Sequence, residues 1–292
     1  MTEKNSIDSF EISVLGILRS FHDIRPSVLK GLRDWCSHFH ASFYIATGDD
    51  DTLIHHNLLP CTNQTSILNE NHLAGQGEVN KSKQTTRIPS RQHRVERIAR
   101  IRDNLRSHFH SLQKNPDAII VVDLDLLQLP SSKSLSQAVR RVSAGTSGVI
   151  CANGIERFMG ILDIEYDTFA MGIPVGPWKQ RRLYKDIVAT TPNLYHTPFD
   201  SCFGGLAVYN PTLYLDESCN YFSAERLKDK CEHQSLHECL RQQNPTFEIG
   251  VLGTMITHRQ FDATIVKAIC GPLGVLLVFY LFFKRKKKNH TE

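Results

Sequence analysis

The run Ala118-Ile-Ile-Val-Val ends abruptly on Asp123-Leu-Asp125. Five consecutive aliphatic residues leave no polar face, so the segment predicts a short strand buried on both sides. Ile12–Leu18 and Ala41–Ala46 have the same character. Between them, Pro26 to His40 carries Val28, Leu32, Trp35 and Phe39 at helical spacing. A β-α-β order of this kind is the unit of a parallel sheet flanked by helices, so the chain is expected to be α/β.

Later segments extend the pattern. Arg94 to Leu112 predicts an amphipathic helix with Val95, Ile98, Ile101, Leu105 and Phe109 on one face. Arg94, Arg97, Arg100, Arg102 and Arg106 surround that face, and for Arg100 and Arg106 a solvated setting is expected. Leu135–Val142 and Glu232–Leu240 read as helices, and Gly148–Ala152 as a strand. Residues 61–93 are polar and without a periodic pattern, which reads as a flexible insertion.

Charge is placed unevenly. The 34 Lys and Arg exceed the 30 Asp and Glu by four, and five cations are packed into 284–288. The body before residue 284 carries 29 of each sign. A neutral body argues against a nucleic-acid partner, which calls for a basic face. Just before the basic tail, 263–283 is apolar except for Lys267. That length suits one membrane-spanning helix contacting lipid, followed by the basic tail at 284–292. A body domain at 1–260 with a single C-terminal pass through an endomembrane (ER or Golgi) is expected. The side of the membrane on which the body lies stays open, as does the redox state of the eight cysteines, which form no CxxC pair.

The chemistry is concentrated at the end of the aliphatic strand. Asp123 and Asp125 are two apart and share one side of an extended chain. The carboxyl end of a parallel strand is where α/β sheets bind ligands. Two acids there call for a compensating cation, and Mn²⁺ or Mg²⁺ suits hard oxygen ligands together with a phosphorylated substrate. The alternative is a solvated turn. A second acidic stretch, Asp49-Asp50-Asp51, follows the strand Ala41–Ala46. It suits either a ribose or base contact or an Asp-rich turn. Cys231, His233, His237 and Cys239 admit a zinc site, but without a CxxC knuckle the spacing favours a structural role.

In order along the chain come Ala46-Thr-Gly-Asp-Asp-Asp-Thr52, Arg94-Val-Glu-Arg-Ile-Ala-Arg-Ile-Arg-Asp-Asn104 and Ile119-Ile-Val-Val-Asp-Leu-Asp125. Cys151-Ala-Asn-Gly154, Tyr166-Asp-Thr-Phe-Ala170, Ser201-Cys-Phe-Gly-Gly-Leu-Ala207 and Cys231-Glu-His233 follow. This series resembles the GT-A glycosyltransferases, in particular the fungal capsule-associated α-1,3-mannosyltransferase family with its algal and viral relatives, over residues 10–258. Asp103, the 61–93 insertion and the C-terminal apolar segment depart from that pattern. The resemblance implies a GT-A, Rossmann-like fold with a mixed, mostly parallel sheet. It implies a metal held by Asp123 and Asp125, with Asp123 also near the nucleotide ribose, and His258 completing the metal shell. Asp51 would line the nucleoside pocket, and Arg94 and Arg97 would face phosphate. Gly204 and Gly205 would let backbone approach the sugar, or alternatively form a strand bulge. Glu232 would be the carboxylate facing the acceptor or the reacting sugar.

The expected activity is therefore a metal-dependent hexosyl transfer from a nucleotide-diphosphate sugar, GDP-mannose or a UDP-hexose, to a glycan acceptor. Two other readings stand beside it. One is a catalytically silent module that binds a carbohydrate or a partner, and the other a metal-dependent nucleotidyltransferase or phosphohydrolase.

Overall fold

Ile12, Val14 and Leu18 of the first apolar run are buried toward one side of a sheet, and Leu15 toward the other. In the computed structural model that run is strand β1 (Glu11–Leu18). The structure describes residues 10–18, 24–48, 65–69, 91–158, 162–165, 170–171, 177–191, 193–196, 201–223, 225–228 and 230–259. The other strands are β2 (His40–Thr47), β3 (Thr65–Asn69), β4 (Ala118–Asp123), β5 (Val149–Phe158), β6 (Leu162–Glu165), β7 (Leu194–His196), β8 (Leu206–Tyr209) and β9 (Ile249–Arg259). They join in the order β3-β2-β1-β4-β8-β5-β9-β7, with β6 on β5.

Six of these nine strands share one direction, because β1 is parallel to β2 and β4, β2 to β3, and β5 to β9. β8, β6 and β7 run the opposite way. The sheet is thus mixed and mostly parallel in direction, as the sequence led us to expect. One consequence matters for function: β4, β5 and β9 all end at the same edge.

Helices α1 (Pro26–His38), α2 (Arg91–Ser111), α3 (Ser132–Ser143), α4 (Pro177–Ala189), α5 (Pro211–Tyr214) and α6 (Glu232–Gln243) complete the described fold. Pro26 opens α1, where its missing N–H costs nothing. Ser131 caps α3 by accepting from the Ser134 N–H. Val28, Leu32 and Trp35 of α1 and Leu135, Val139 and Val142 of α3 cover one face of the sheet, over Ile120 and Val122. Val95, Leu105 and Phe109 of α2, Ile187 of α4 and Leu236 and Leu240 of α6 cover the other, over Ile119 and Val121. The Trp35 indole N–H reaches the Pro130 carbonyl at 2.9 Å, tying α1 to the chain that follows β4.

One feature departs from the sequence reading. The polar stretch 61–93 contains β3, which pairs in parallel with β2 from Phe43↔Thr65 to Thr47↔Asn69. Its strand character comes from a neighbour's hydrogen bonds rather than from an apolar pattern of its own. The expected membrane span is not tested by the described residues. No helix among the described residues is long and apolar enough to cross one, and 263–283 and 284–292 lie outside them.

Candidate active site

Period-two alternation continues past the end of β4. Leu124 and Leu126 are buried, whereas Asp123 is half-buried and Asp125 exposed. The turn that carries the acids is held from two sides. Leu124 N–H donates to Ile17 O of β1 at 3.0 Å, and Leu127 N–H donates to His258 O of β9 at 2.7 Å. His258 N–H returns a bond to Gln128 O at 3.2 Å. The carboxyl edge of the sheet thereby brings Asp123, Asp125 and the backbone of His258 together. The three do not converge as one ligand set, since no group of three His, Cys, Asp or Glu among the described residues is placed to hold a metal ion.

Electrostatics distinguish the two acids. Loss of solvent around the crowded turn and the nearby Asp123 charge push the Asp125 carboxyl above its ordinary value, against the pull of Arg259 and Arg94. Two hard carboxylate donors at one sheet edge suit Mn²⁺ or Mg²⁺.

Gly204 and Gly205 have φ of +61° and +80°. A Cβ on Gly204 would stand 2.1 Å from the Ala152 carbonyl oxygen. The close approach that requires glycine is therefore to β5, at the bulge where its register with β9 shifts between Ala152 and Asn153. The turn also joins two other strands. Asp123 N–H donates to Gly205 O at 3.0 Å. The Thr257 hydroxyl of β9 donates to Gly204 O. The glycine pair sets the height of Asp123 through this contact with the backbone.

The residue that joins the site together is Arg102. It lies on the same stripe of α2 as Val95, Ile98, Leu105 and Phe109, and it is 3% exposed. Its Nη2 donates to Asp123 Oδ1 at 2.7 Å, and its Nε lies 3.4 Å from Glu232 Oε1. The guanidinium sits 4.9 Å from the Phe203 ring centroid and 5.9 Å from that of Tyr221. Burial alone would favour loss of its proton, but Asp123 and then Glu232 outweigh that and raise its pKa. Arg102 was legible as one of the arginines around the helix, though not as a site residue. The signal was its spacing: 95, 98, 102, 105 and 109 form one line along the helix, buried at all but the half-buried Ile98, and a cation on such a line needs acids opposite it.

Other expected residues are placed as follows. Arg94 and Arg97 are exposed on the first turns of α2, with Arg94 in electrostatic reach of Asp125. Asp51 lies outside the described residues. Glu232 opens α6 and is nearly buried. Arg106, for which a solvated position was expected, is 4% exposed and donates to the carbonyls of Cys219 and Asp216. It satisfies the end of a loop, which a helix-face reading could not reveal. Arg100 is exposed but stacks 3.7 Å above the Phe222 ring. Asp103 accepts from Tyr221 N–H at 2.8 Å and Phe222 N–H at 2.7 Å, fixing the segment that walls Arg102. The cysteines and histidines of the conceivable zinc site are used otherwise. Cys239 is disulfide-bonded to Cys219, and His237 bonds Ser201 Oγ through Nδ1 and Tyr209 OH through Nε2, each at 2.8 Å.

No protein-family model matches the sequence, and no curated protein matches it either. Among solved structures the chain is similar to S. aureus TarS residues 1–349, at 12% identity and a TM-score of 0.46, over 86% of this chain and 60% of that one. It is similar to the mannosyltransferase PcManGT from Pyrobaculum calidifontis in complex with GDP-Man and Mn²⁺, at 9% identity and a TM-score of 0.40, over 86% and 57% of the two chains. Mannosyl-3-phosphoglycerate synthase from Rubrobacter xylanophilus shares 9% identity at a TM-score of 0.43, over 96% of this chain and 75% of its own.

Proposed function

We propose that the chain is a membrane-anchored glycosyltransferase that moves a hexosyl group from a nucleotide-diphosphate sugar to a glycan acceptor. The observation that carries this reading is the Asp123–Asp125 pair at the carboxyl edge of the sheet, with Asp125 held above its ordinary pKa by desolvation and by its neighbour. Such a pair is suited to a divalent cation, Mn²⁺ or Mg²⁺, which when bound offsets charge on a diphosphate leaving group. Asp125 would be its principal ligand and Asp123 the second, with His258 alongside on β9. Arg94 and Arg97 at the start of α2 supply guanidinium donors for phosphate oxygens. The buried walls of the edge, Leu124 and Leu126, keep water from the inner side of the turn.

A mannosyl donor is proposed on the family resemblance alone, and UDP-hexoses are the competing donors. The apolar segment 263–283 is proposed as the membrane anchor, in an ER or Golgi membrane. The deciding experiment incubates the purified full chain in detergent with Mn²⁺ and a panel of nucleotide sugars. Donor hydrolysis or transfer is expected, and Asp125→Ala is expected to reduce it at least about a hundredfold. Full activity in Asp125→Ala would sink the reading. Donor binding without turnover would mark a silent carbohydrate- or partner-binding module.

A further inference from the structure

We infer that Arg102 is a positioning residue that fixes Asp123 for its ligand, and that Glu232 is the anchor of Arg102 rather than a group at the reacting centre. This rests on the metal-dependent reading of the same site.

The argument starts from charge. Arg102 is buried on the inner face of α2, so it needs acids within contact, because an unpaired buried cation is strongly disfavoured. It has two, and they come from different elements. Asp123 closes β4 and Glu232 opens α6. The aromatic rings of Phe203 and Tyr221 approach the guanidinium and exclude water from it. Its orientation is therefore set by one hydrogen bond, from Nη2 to Asp123, and by the Glu232 charge 3.4 Å from Nε, within an aromatic wall.

That orientation decides what each acid can do. Asp123 gives Oδ1 to Arg102 at 2.7 Å and retains 32% side-chain exposure. With one oxygen held, the carboxylate has a single direction in which to present the other. The ligand position is then fixed before a cation or nucleotide arrives. Glu232 is in the opposite situation. Its Oε1 faces Arg102 Nε at 3.4 Å and His233 Nε2 at 3.6 Å, and its Oε2 accepts from Cys231 Sγ at 3.1 Å. At 9% side-chain exposure the carboxylate is turned into the fold, with Oε2 bonded to Cys231 Sγ and Oε1 facing Arg102, and it leaves little surface for an acceptor hydroxyl. A base must come within hydrogen-bond reach of the proton it takes, and Glu232 faces inward.

The test measures Mn²⁺ binding by electron paramagnetic resonance on the full chain in detergent, together with donor turnover as a function of Mn²⁺. Arg102→Lys keeps the charge and loses the planar fork. It is expected to weaken Mn²⁺ binding about tenfold or more while unfolding cooperatively in a chelator. Glu232→Gln keeps the shape and removes the anchoring charge. It is expected to raise the Mn²⁺ needed for half-maximal rate about tenfold, while the rate at saturating Mn²⁺ falls less than about tenfold. Unchanged Mn²⁺ affinity in folded Arg102→Lys overturns the positioning role. A thousandfold or greater loss of saturated rate in Glu232→Gln, with Mn²⁺ binding intact, overturns the anchor role and returns Glu232 to the reacting centre. Should Arg102→Lys not fold, Glu232→Gln decides alone, since unchanged Mn²⁺ affinity there also overturns the proposal. A wild-type chain that neither binds Mn²⁺ nor cleaves any donor sinks the metal-dependent reading itself, which is a different result from variants that match an active wild type.

Discussion

A methyl group on Gly204 would meet the Ala152 carbonyl at 2.1 Å with φ at +61°, whereas Gly145, at φ +70°, has nothing within 4 Å of the same position. The two glycines separate the cost of the backbone conformation from the cost of the clash. Gly145→Ala is expected to lose about 1 kcal/mol, for the left-handed conformation alone. Gly204→Ala is expected to lose more than about 3 kcal/mol, because β5 backbone cannot yield as a flexible side chain can. Urea unfolding of both variants checks this, and equal losses would count against the clash. The same comparison shows what single residues disclose in a sequence. Gly204-Gly205 was visible as a special turn, and Asp123 and Asp125 as the end of a strand. What the glycine approaches was not visible, since Ala152 is fifty-two residues away and its carbonyl belongs to every residue type alike. Asp103 is the same case in reverse: it appeared as a departure from a family pattern, and it holds two backbone N–H groups of a distant loop.

At the scale of elements, α6 presents its buried face as a row of histidines. His233 stacks on Phe203 at 3.7 Å between centroids, and His237 spends one ring nitrogen on Ser201 and the other on Tyr209. Burial, then Arg102 and His237, hold His233 well below its ordinary pKa; burial and then Arg241 push His237 down to about 3. Both are therefore neutral in the folded protein at neutral pH. In the unfolded chain they titrate near 6.5. Above that pH both states carry neutral imidazoles and the stability they allow is fully present. Below it the unfolded state binds protons that the folded state refuses, so stability falls by up to about 1.4 kcal/mol per pH unit for each histidine. For His237 the loss runs on toward about pH 3. Unfolding in urea between pH 5 and 6.5 should show a slope near two protons, reduced to about one in His237→Gln. An unaltered slope in that variant would contradict the assignment. Element by element, the sequence disclosed those with clear apolar patterns: β1, α1, β2, α2, β4, α3, the start of β5 and α6. β3, β6 and β7 have three to five residues each, too short for a period, and they exist because a neighbouring strand offers hydrogen bonds. In α4 only Leu183 and Ile187 are buried among its described side chains, too thin a stripe to declare a helix.

At the scale of the whole molecule, the chain leaves β9 at Arg259, on the edge that holds Asp123, and only three residues precede the apolar segment that starts at Ala263. Two disulfides bear on which compartment surrounds the body. Cys151–Cys202 joins β5 to the segment that enters the Gly204–Gly205 turn, and Cys219–Cys239 joins the exit of α5 to α6. All four cysteines are at most 2% exposed. Their spacing showed no sign of pairing, because each bond joins segments that only the folded chain brings together. Disulfides persist in oxidising compartments and are scarce in the cytosol. Independently, if 263–283 spans a membrane as proposed, the cations at 284–288 favour its cytosolic side and the residues before 263 the other. On that proposal both arguments favour a body in the lumen of an endomembrane compartment. There the sequons Asn63-Gln-Thr and Asn80-Lys-Ser become acceptors for N-glycans. When the full chain is expressed in a eukaryotic cell, peptide N-glycosidase is expected to lower its apparent mass, and Asn63→Gln with Asn80→Gln to abolish that shift. Mass spectrometry after alkylation without reduction is expected to leave Cys151, Cys202, Cys219 and Cys239 unmodified. A body that carries no glycan, is digested by protease added outside intact membranes and has all four thiols alkylated would place the site in the cytosol instead.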